Sequence, residues 1–259
     1  MTVCTTDSQS ITRSLFAVFL GHKWFNVPYA AGIFYTRSLA LLKSVFGPSP
    51  RYPPPAYLTP VHLGAPTEPT SPDAVPSPLY TNLENSRRFI ALPLFAGLLS
   101  LGRSGYTELV ERNVQFARRV AIWMNEDERG RTWYEVLNLT NEGKDGQKTV
   151  PLNIVLFRAR SGVTPATYLH PSHGSALLCK AINTTGKMYT SPTMYQGVAA
   201  VRIAISNWGI DLAQDGERVD DGGCQGDINW DTQELKGMSD YEIVCMTLKT
   251  VMGRSTRVR

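Results

Sequence analysis

The sequence predicts a mixed α/β fold, and three stretches carry that prediction. Val110, Val114, Ala117, Ala121 and Met124 recur at helical spacing, which lines them along one face of a helix. Ile154-Val155-Leu156-Phe157 is a continuous apolar run, as in a strand covered on both faces. Between Ala199 and Ser206, Val201, Ile203 and Ile205 alternate with Ala200, Arg202 and Ala204, the two-residue period of a strand. A chain of 259 residues can bury a sizeable core in one large or two modest domains. Its 42% hydrophobic and 19% charged residues are ordinary for a soluble globular protein.

The elements follow in order. The apolar run Leu15 to Leu20 is too short to span a bilayer and has no small-residue cleavage site behind it. Gly21-His22-Lys23-Trp24-Phe25-Asn26-Val27-Pro28-Tyr29 sets a lysine between an imidazole and two large aromatics, ahead of a proline turn. An ammonium in apolar surroundings is disfavoured, so the pKa of Lys23 is expected to fall, toward the amine that attacks carbonyls. The competing expectation is an ordinary amphipathic lysine, stem on aromatics and head in water. Val27 to Arg37 reads as a strand with Ile33 and Tyr35 on one side and Phe34 on the other. Leu39 to Phe46 reads as a short connection. Residues 48 to 78 hold eleven of the 17 prolines, which favours extended and turn conformations.

Asn85 to Leu101 reads as a mostly apolar helix kinked or broken at Pro93, and Ser104 as the N-cap of a second helix reaching about Asn125. Strands are expected at Trp133 to Leu137 and Pro151 to Phe157, around the polar turn from Asn141 to Gly146. A helix over Ser172 to Asn183, ending near Gly186, precedes strands at Lys187 to Ser191 and Ala199 to Ser206. Arg202, flanked by alanines, leaves room for an anion beside its strand or is a surface arginine paired with a local carboxylate. Asp211 to Met238 is rich in Gly and Asp and reads as a solvated loop, before a last helix over Tyr241 to Val251.

The net charge of +4 includes no dense basic block, so no nucleic-acid partner is expected. Cys4, Cys179, Cys224 and Cys245 stand far apart, indicating neither a disulfide framework nor a zinc site, and a cytoplasmic, reduced protein without a membrane partner is the default expectation. His170 and His173 form a His-x-x-His that Pro171 places in a loop, without an adjoining carboxylate or cysteine, and no metal is expected there. Asn138-Leu139-Thr140 and Asn183-Thr184-Thr185 match the glycosylation sequon, a pattern that often arises by chance.

Three blocks, in order, carry a resemblance. His22-Lys23-Trp24-Phe25-Asn26-Val27-Pro28-Tyr29, continued by Gly32-Ile33-Phe34-Tyr35 and Arg37, resembles the cofactor-lysine segment of the group II pyridoxal-phosphate-dependent amino-acid decarboxylases. Glu84-Asn85-Ser86-Arg87-Arg88-Phe89-Ile90-Ala91-Leu92-Pro93 is similar to the family's passage into its C-terminal domain, and Ala200 to Trp208 to a strand near its C-terminus. The sequence departs from the pattern: eleven residues rather than five separate the Ser10-Ile11 pair from Lys23, Val18-Phe19-Leu20-Gly21 stands in place of an Asp-containing stretch, and Ala30-Ala31 stands where the family has Asp-Cys.

The resemblance implies the C-terminal part of a pyridoxal-phosphate-dependent transferase-like large domain of the aspartate aminotransferase type, followed by a small α+β domain. Residues 1–84 would be the remnant of the cofactor domain with its mobile proline-rich loop, and 85–259 the linking helices and small domain. It implies a carboxy-lyase that decarboxylates an amino acid to an amine through a Schiff base on Lys23. His22 would lie by the cofactor phosphate, Tyr57 would be the proton donor with Tyr52 in reserve, and Ser86 would stand where a neighbouring subunit approaches the substrate, with Arg202 as a further substrate contact. The partners implied are a small amino acid and a second subunit. Family members are about twice as long, and the part preceding their lysine supplies the ring-stacking histidine, the carboxylate on the pyridine nitrogen and most phosphate-binding amides; Asp7 stands too close to Lys23 to replace that carboxylate. The alternative is therefore a catalytically inactive remnant, at most a dimerising module that associates with a full-length relative.

Overall fold

The computed structural model describes residues 16–36, 38–47, 88–140, 148–162, 166–210 and 238–254. Asp7, Tyr52, Tyr57, Ser86, the proline-rich stretch and the loop 211–237 lie outside these residues. The chain divides into two compact units, 1–100 and 101–259.

In the first unit, strand β1 (Phe16–Leu20) pairs antiparallel with β2 (Gly32–Thr36), in a register running from Phe16 opposite Thr36 to Leu20 opposite Gly32. The apolar run that is too short for a membrane is thus one arm of a hairpin. Its connection opens at once into a single helical turn, α1 (Gly21–Trp24). The Gly21 N–H donates to the Ala31 carbonyl (2.9 Å) and closes the base of the connection. Phe25 ends the turn by donating to the Gly21 carbonyl (3.2 Å), and Asn26 follows with φ 53°. That left-handed conformation is the usual exit from a helix, and asparagine is among the few side chains that adopt it readily. Ala31 then donates to the Pro28 carbonyl (3.0 Å), forming a turn over Tyr29 and Ala30. This turn consumes residues that the sequence assigns to a strand beginning at Val27, so pairing starts only at Gly32. Gly21 is required for space: a Cβ there would lie 2.9 Å from Val27 Cγ2 and 3.0 Å from the Ala31 oxygen.

Leu39–Phe46 is a helix, α2, rather than the short connection expected. Ser38 starts it, its Oγ accepting from the Leu41 N–H at 3.1 Å, and Leu, Ala and Lys are strong helix formers. Helix α3 (Leu92–Glu126) begins beyond the expected Asn85, since Arg88 to Ala91 are not helical. Pro93 therefore sits in the first turn, where its missing N–H costs nothing, and produces no kink. The interruption comes instead at Gly102 (φ 59°, ψ −166°), a backbone region open essentially to glycine alone.

The second unit is built on a four-stranded antiparallel sheet in the order β3-β4-β6-β5. Helix α4 (Glu128–Trp133) leads into β3 (Tyr134–Val136), and β4 (Ile154–Ala159), β5 (Ser191–Tyr195) and β6 (Val198–Ala204) complete the sheet. Val155, Phe157, Val201 and Ile203 are buried with side chains of α3, of α5 (Gly174–Thr184) and of α6 (Asp240–Arg254). Phe116, Ala117, Val120, Ala121 and Met124 form the buried face of α3; Val110 and Val114, expected in that stripe, are only half-buried, and Leu109 and Asn113 take those turns. Asn113 can be buried because its amide donates to the Leu109 carbonyl (3.0 Å) and accepts from the Asn207 N–H (3.2 Å). The strand expected at Lys187 to Ser191 lies later, at Ser191–Tyr195. Asn183 holds the intervening backbone, accepting from the Thr190 N–H (2.7 Å) and donating to its carbonyl (2.9 Å). Tyr134, fully buried, meets Phe157 edge-on (5.3 Å) and donates its hydroxyl to the Leu248 carbonyl (2.9 Å), joining sheet to last helix.

Two predictions follow from the backbone of the first unit and the interior of the second. Replacing Asn26 by Gly is expected to leave hydrogen exchange of the Gly21 amide unchanged. Asn26→Val is expected to speed it about 5- to 30-fold, because a β-branched residue pays about 1–2 kcal/mol in the left-handed region. In the second unit, burial pushes the Cys245 thiol up from 9.0 to about 12, against the opposing hydrogen bond from Tyr241, and burial raises Cys179 and Tyr241 too. A raised acid stays protonated in the folded state while its unfolded counterpart ionises. Stability is therefore expected to fall as pH rises from about 9 toward about 12, by about 1.4 kcal/mol per pH unit for Cys245. Base titration followed by circular dichroism checks this, and Cys245→Ala should flatten the slope.

Candidate functional site

The chemistry-bearing residues of the first unit sit on α1, between the two paired strands. His22 and Lys23 are consecutive, so their side chains leave the helix about 100° apart. Lys23 is exposed, and Trp24 and Phe25 are half-buried. The apolar enclosure that the sequence suggests for the lysine is not supplied by the described residues. The amine stands at the surface of a turn whose two ends are fixed by strand pairing.

His22 is placed differently. Its ring stacks on Tyr29, with centroids 3.9 Å apart and planes 15° apart. Both Nδ1 and Nε2 are buried, and among the described residues neither has a hydrogen-bond partner. An imidazole offers a donor and an acceptor, or two donors, and leaving a buried polar group unpaired costs about 1–3 kcal/mol. Tyr29 comes over the ring because the left-handed Asn26 and the turn at Pro28 fold the chain back. It is 82% exposed, held by no core. Sequence reasoning includes Tyr29 in the motif but gives it no role. The signal available was Asn26 followed by Pro28, a helix exit and turn that return the next aromatic toward the start of the segment.

Arg202 belongs to the second unit. It lies on β6 opposite Leu156 of β4 and Ser191 of β5, and its Nε donates to the Ser191 hydroxyl (3.2 Å) in place of the local carboxylate expected. An ion pair on this sheet joins Arg158 to Glu135, at 2.8 Å on neighbouring strands. Tyr57 and Ser86 lie outside the described residues. The structure thus brings His22 and Lys23 together, and adds Tyr29.

The remaining motifs resolve locally. His170 and His173 stack at 3.5 Å before α5, their Nδ1 atoms 3.0 and 3.3 Å from the Ser172 hydroxyl. Among the described residues no three His, Cys, Asp or Glu gather to hold a metal. The sequon asparagines are both engaged: Asn138 donates to the Ile154 carbonyl (2.9 Å) and accepts from the Leu156 N–H (2.9 Å), and Asn183 holds Thr190. Cys179 and Cys245 are buried thiols. No helix among the described residues is long and apolar enough to cross a membrane.

No family model matches the sequence, and no curated protein does. Solved structures do match. Oryza sativa TDC with PLP and tryptamine superposes with a TM-score of 0.62 at 17% identity, over 94% of this chain and 40% of that one. Catharanthus roseus tryptophan decarboxylase in complex with L-tryptophan gives 0.56 at 20% identity, over 76% and 35%. Mouse CSAD in apo form gives 0.54 at 13% identity, over 95% and 41%. The chain spans about 40% of the length of these proteins or less. At such identities the likeness establishes architecture: this mixed helix-and-sheet chain has the fold of part of a pyridoxal-phosphate-dependent decarboxylase.

Proposed function

We propose that this chain is the part of a pyridoxal-phosphate-dependent carboxy-lyase that carries the cofactor lysine, acting on an amino acid as the small-molecule partner. The observation that supports it most directly is the pairing on α1: an exposed amine at Lys23 adjoins an imidazole at His22 with two orphaned nitrogens. Those two residues fit the two ends of the cofactor. Lys23 supplies the amine for an aldehyde, and His22 supplies unsatisfied polar atoms for a phosphate oxygen. When bound, pyridoxal phosphate supplies the electron sink that lets carbon dioxide leave an amino acid. The chain's own contribution is positional: β1, β2 and the Gly21–Ala31 hydrogen bond hold both side chains at fixed register. Tyr57 is proposed as the proton donor, and Ser86 and Arg202 as substrate contacts. In this reading residues 1–84 belong to the cofactor domain and 85–259 to the linking helices and small C-terminal domain, in a cytoplasmic homodimer.

A second reading is favoured by a different observation. Phe89, Leu92, Phe95 and Leu99 are exposed around the start of α3, the last three at helical spacing on one face. Apolar side chains so arranged mark a surface that another chain covers. In this reading the protein is an inactive dimerising module, associating with a second copy or with a full-length relative. Leu99→Ser should then lower the mass measured by light scattering after size exclusion.

Pyridoxal phosphate added to the purified protein is expected to give an absorption band near the visible range that Lys23→Ala abolishes. Borohydride reduction and peptide mapping should place the label on Lys23. Identical spectra for the two proteins, with no labelled peptide, would remove the cofactor reading. Carbon dioxide release from a panel of amino acids separates the two readings, since binding without turnover leaves the module.

A further inference from the structure

We propose that Tyr29 is a positioning residue for an anion site at His22: its ring fixes the plane of the imidazole so that one ring N–H donates to a phosphate monoester. The proposal deepens the cofactor reading, on which it rests for the identity of the physiological ligand, and assigns a role to a residue that the resemblance leaves without one.

Three features combine. Tyr29 is 82% exposed yet lies parallel to His22 at 3.9 Å, so one face of its ring is spent on the imidazole and the rest is in water. Its backbone is held independently of that stack: Asn26 at φ 53° turns the chain, and the Ala31 N–H to Pro28 carbonyl bond (3.0 Å) fixes the turn on which Tyr29 stands. Finally, among the described residues neither Nδ1 nor Nε2 of His22, both buried, has a hydrogen-bond partner, and an oxyanion that accepts from one of them would satisfy it. A ring held in one plane loses less freedom when its nitrogen pairs with a fixed phosphate oxygen. The hydroxyl of Tyr29 plays no part in the stack, so phenylalanine should replace it and alanine should not.

The test uses the full chain, labelled with nitrogen-15 at histidine, with inorganic phosphate as probe. The chain has 4 histidines, and the His22 resonances are those missing from His22→Gln. Phosphate is expected to shift the His22 nitrogens. Tyr29→Phe should bind within about twofold of the wild type, and Tyr29→Ala about two- to tenfold more weakly, the range that an aromatic stack supplies. In wild-type protein pyridoxal phosphate should bind more tightly than pyridoxal, which lacks the phosphate, and Tyr29→Ala should narrow that gap. Phosphate that leaves the His22 resonances in place overturns the site. A Tyr29→Ala affinity equal to or above wild type overturns the positioning role. Because Tyr29 is so exposed, its removal leaves the core intact, and an unchanged amide spectrum of the second unit verifies this. The cofactor reading fails separately: a shifted His22 with no borohydride label on Lys23 sinks the carboxy-lyase proposal and leaves the anion site. A labelled Lys23 with a silent His22 does the reverse.

Discussion

The hydrogen bond from the Gly21 N–H to the Ala31 carbonyl is the constraint from which the arrangement of the first unit follows. It closes the connection between β1 and β2 at its base, so everything between must fold within that span. A helical turn leaves β1 without a spacer, and the chain must reverse to rejoin β2. The closure also brings Gly21 so near Val27 and Ala31 that a Cβ there would lie 2.9 Å from Val27 Cγ2 and press on the Ala31 oxygen at 3.0 Å. The positions of His22, Lys23 and Tyr29 are consequences of one backbone contact and one left-handed residue, Asn26. Fixing those dihedrals costs entropy, which pairing along β1 and β2 offsets in part.

What the sequence made legible is what depends on local spacing. The adjacency of His22 and Lys23, the α3 stripe from Ala117 to Met124 and the alternation of Val201, Ile203 and Ile205 are properties of a helix turn or a strand pleat, and they were readable. Three misses come from side chains that satisfy backbone groups. Ser38 caps α2, so a segment read as a connection is helical. Ser239 and Glu242 form a reciprocal capping box, Glu242 accepting from the Ser239 N–H (2.8 Å) and the Ser239 hydroxyl from Glu242 (3.3 Å); it starts α6 just ahead of the expected Tyr241. Asn183 claims Thr190, so β5 begins after the residues whose pattern suggested it. Of the candidate site, the lysine and its histidine could be read, but not the stack on Tyr29, which depends on backbone torsions.

Much of the buried polarity of the second unit is paired with backbone. In the second unit, Asn113, Asn138 and Asn183 each both donate and accept, and the Tyr134 hydroxyl reaches Leu248 across the core. Polar groups there act as staples between elements, and two sequons turn out to be asparagines spent on backbone. In that unit burial also raises the Cys179 and Cys245 thiols.

His22 breaks that rule. Buried polar atoms without partners also occur at Arg112 Nε and the Thr149 hydroxyl, but their settings differ. Arg112 reaches the Trp208 carbonyl through Nη2 (3.3 Å) and Glu108 through Nη1 (3.8 Å), and the backbone of Thr149 pairs on both sides with Thr140. At His22 both nitrogens of one ring are unpaired, and the only ring contact among the described residues is a stack that satisfies neither. A stack contributes about 0.5–1.5 kcal/mol beyond area burial, while two orphaned atoms cost about 1–3 kcal/mol each. Among the described residues, the stack on Tyr29 thus sets the plane of the His22 ring without pairing either of its nitrogens.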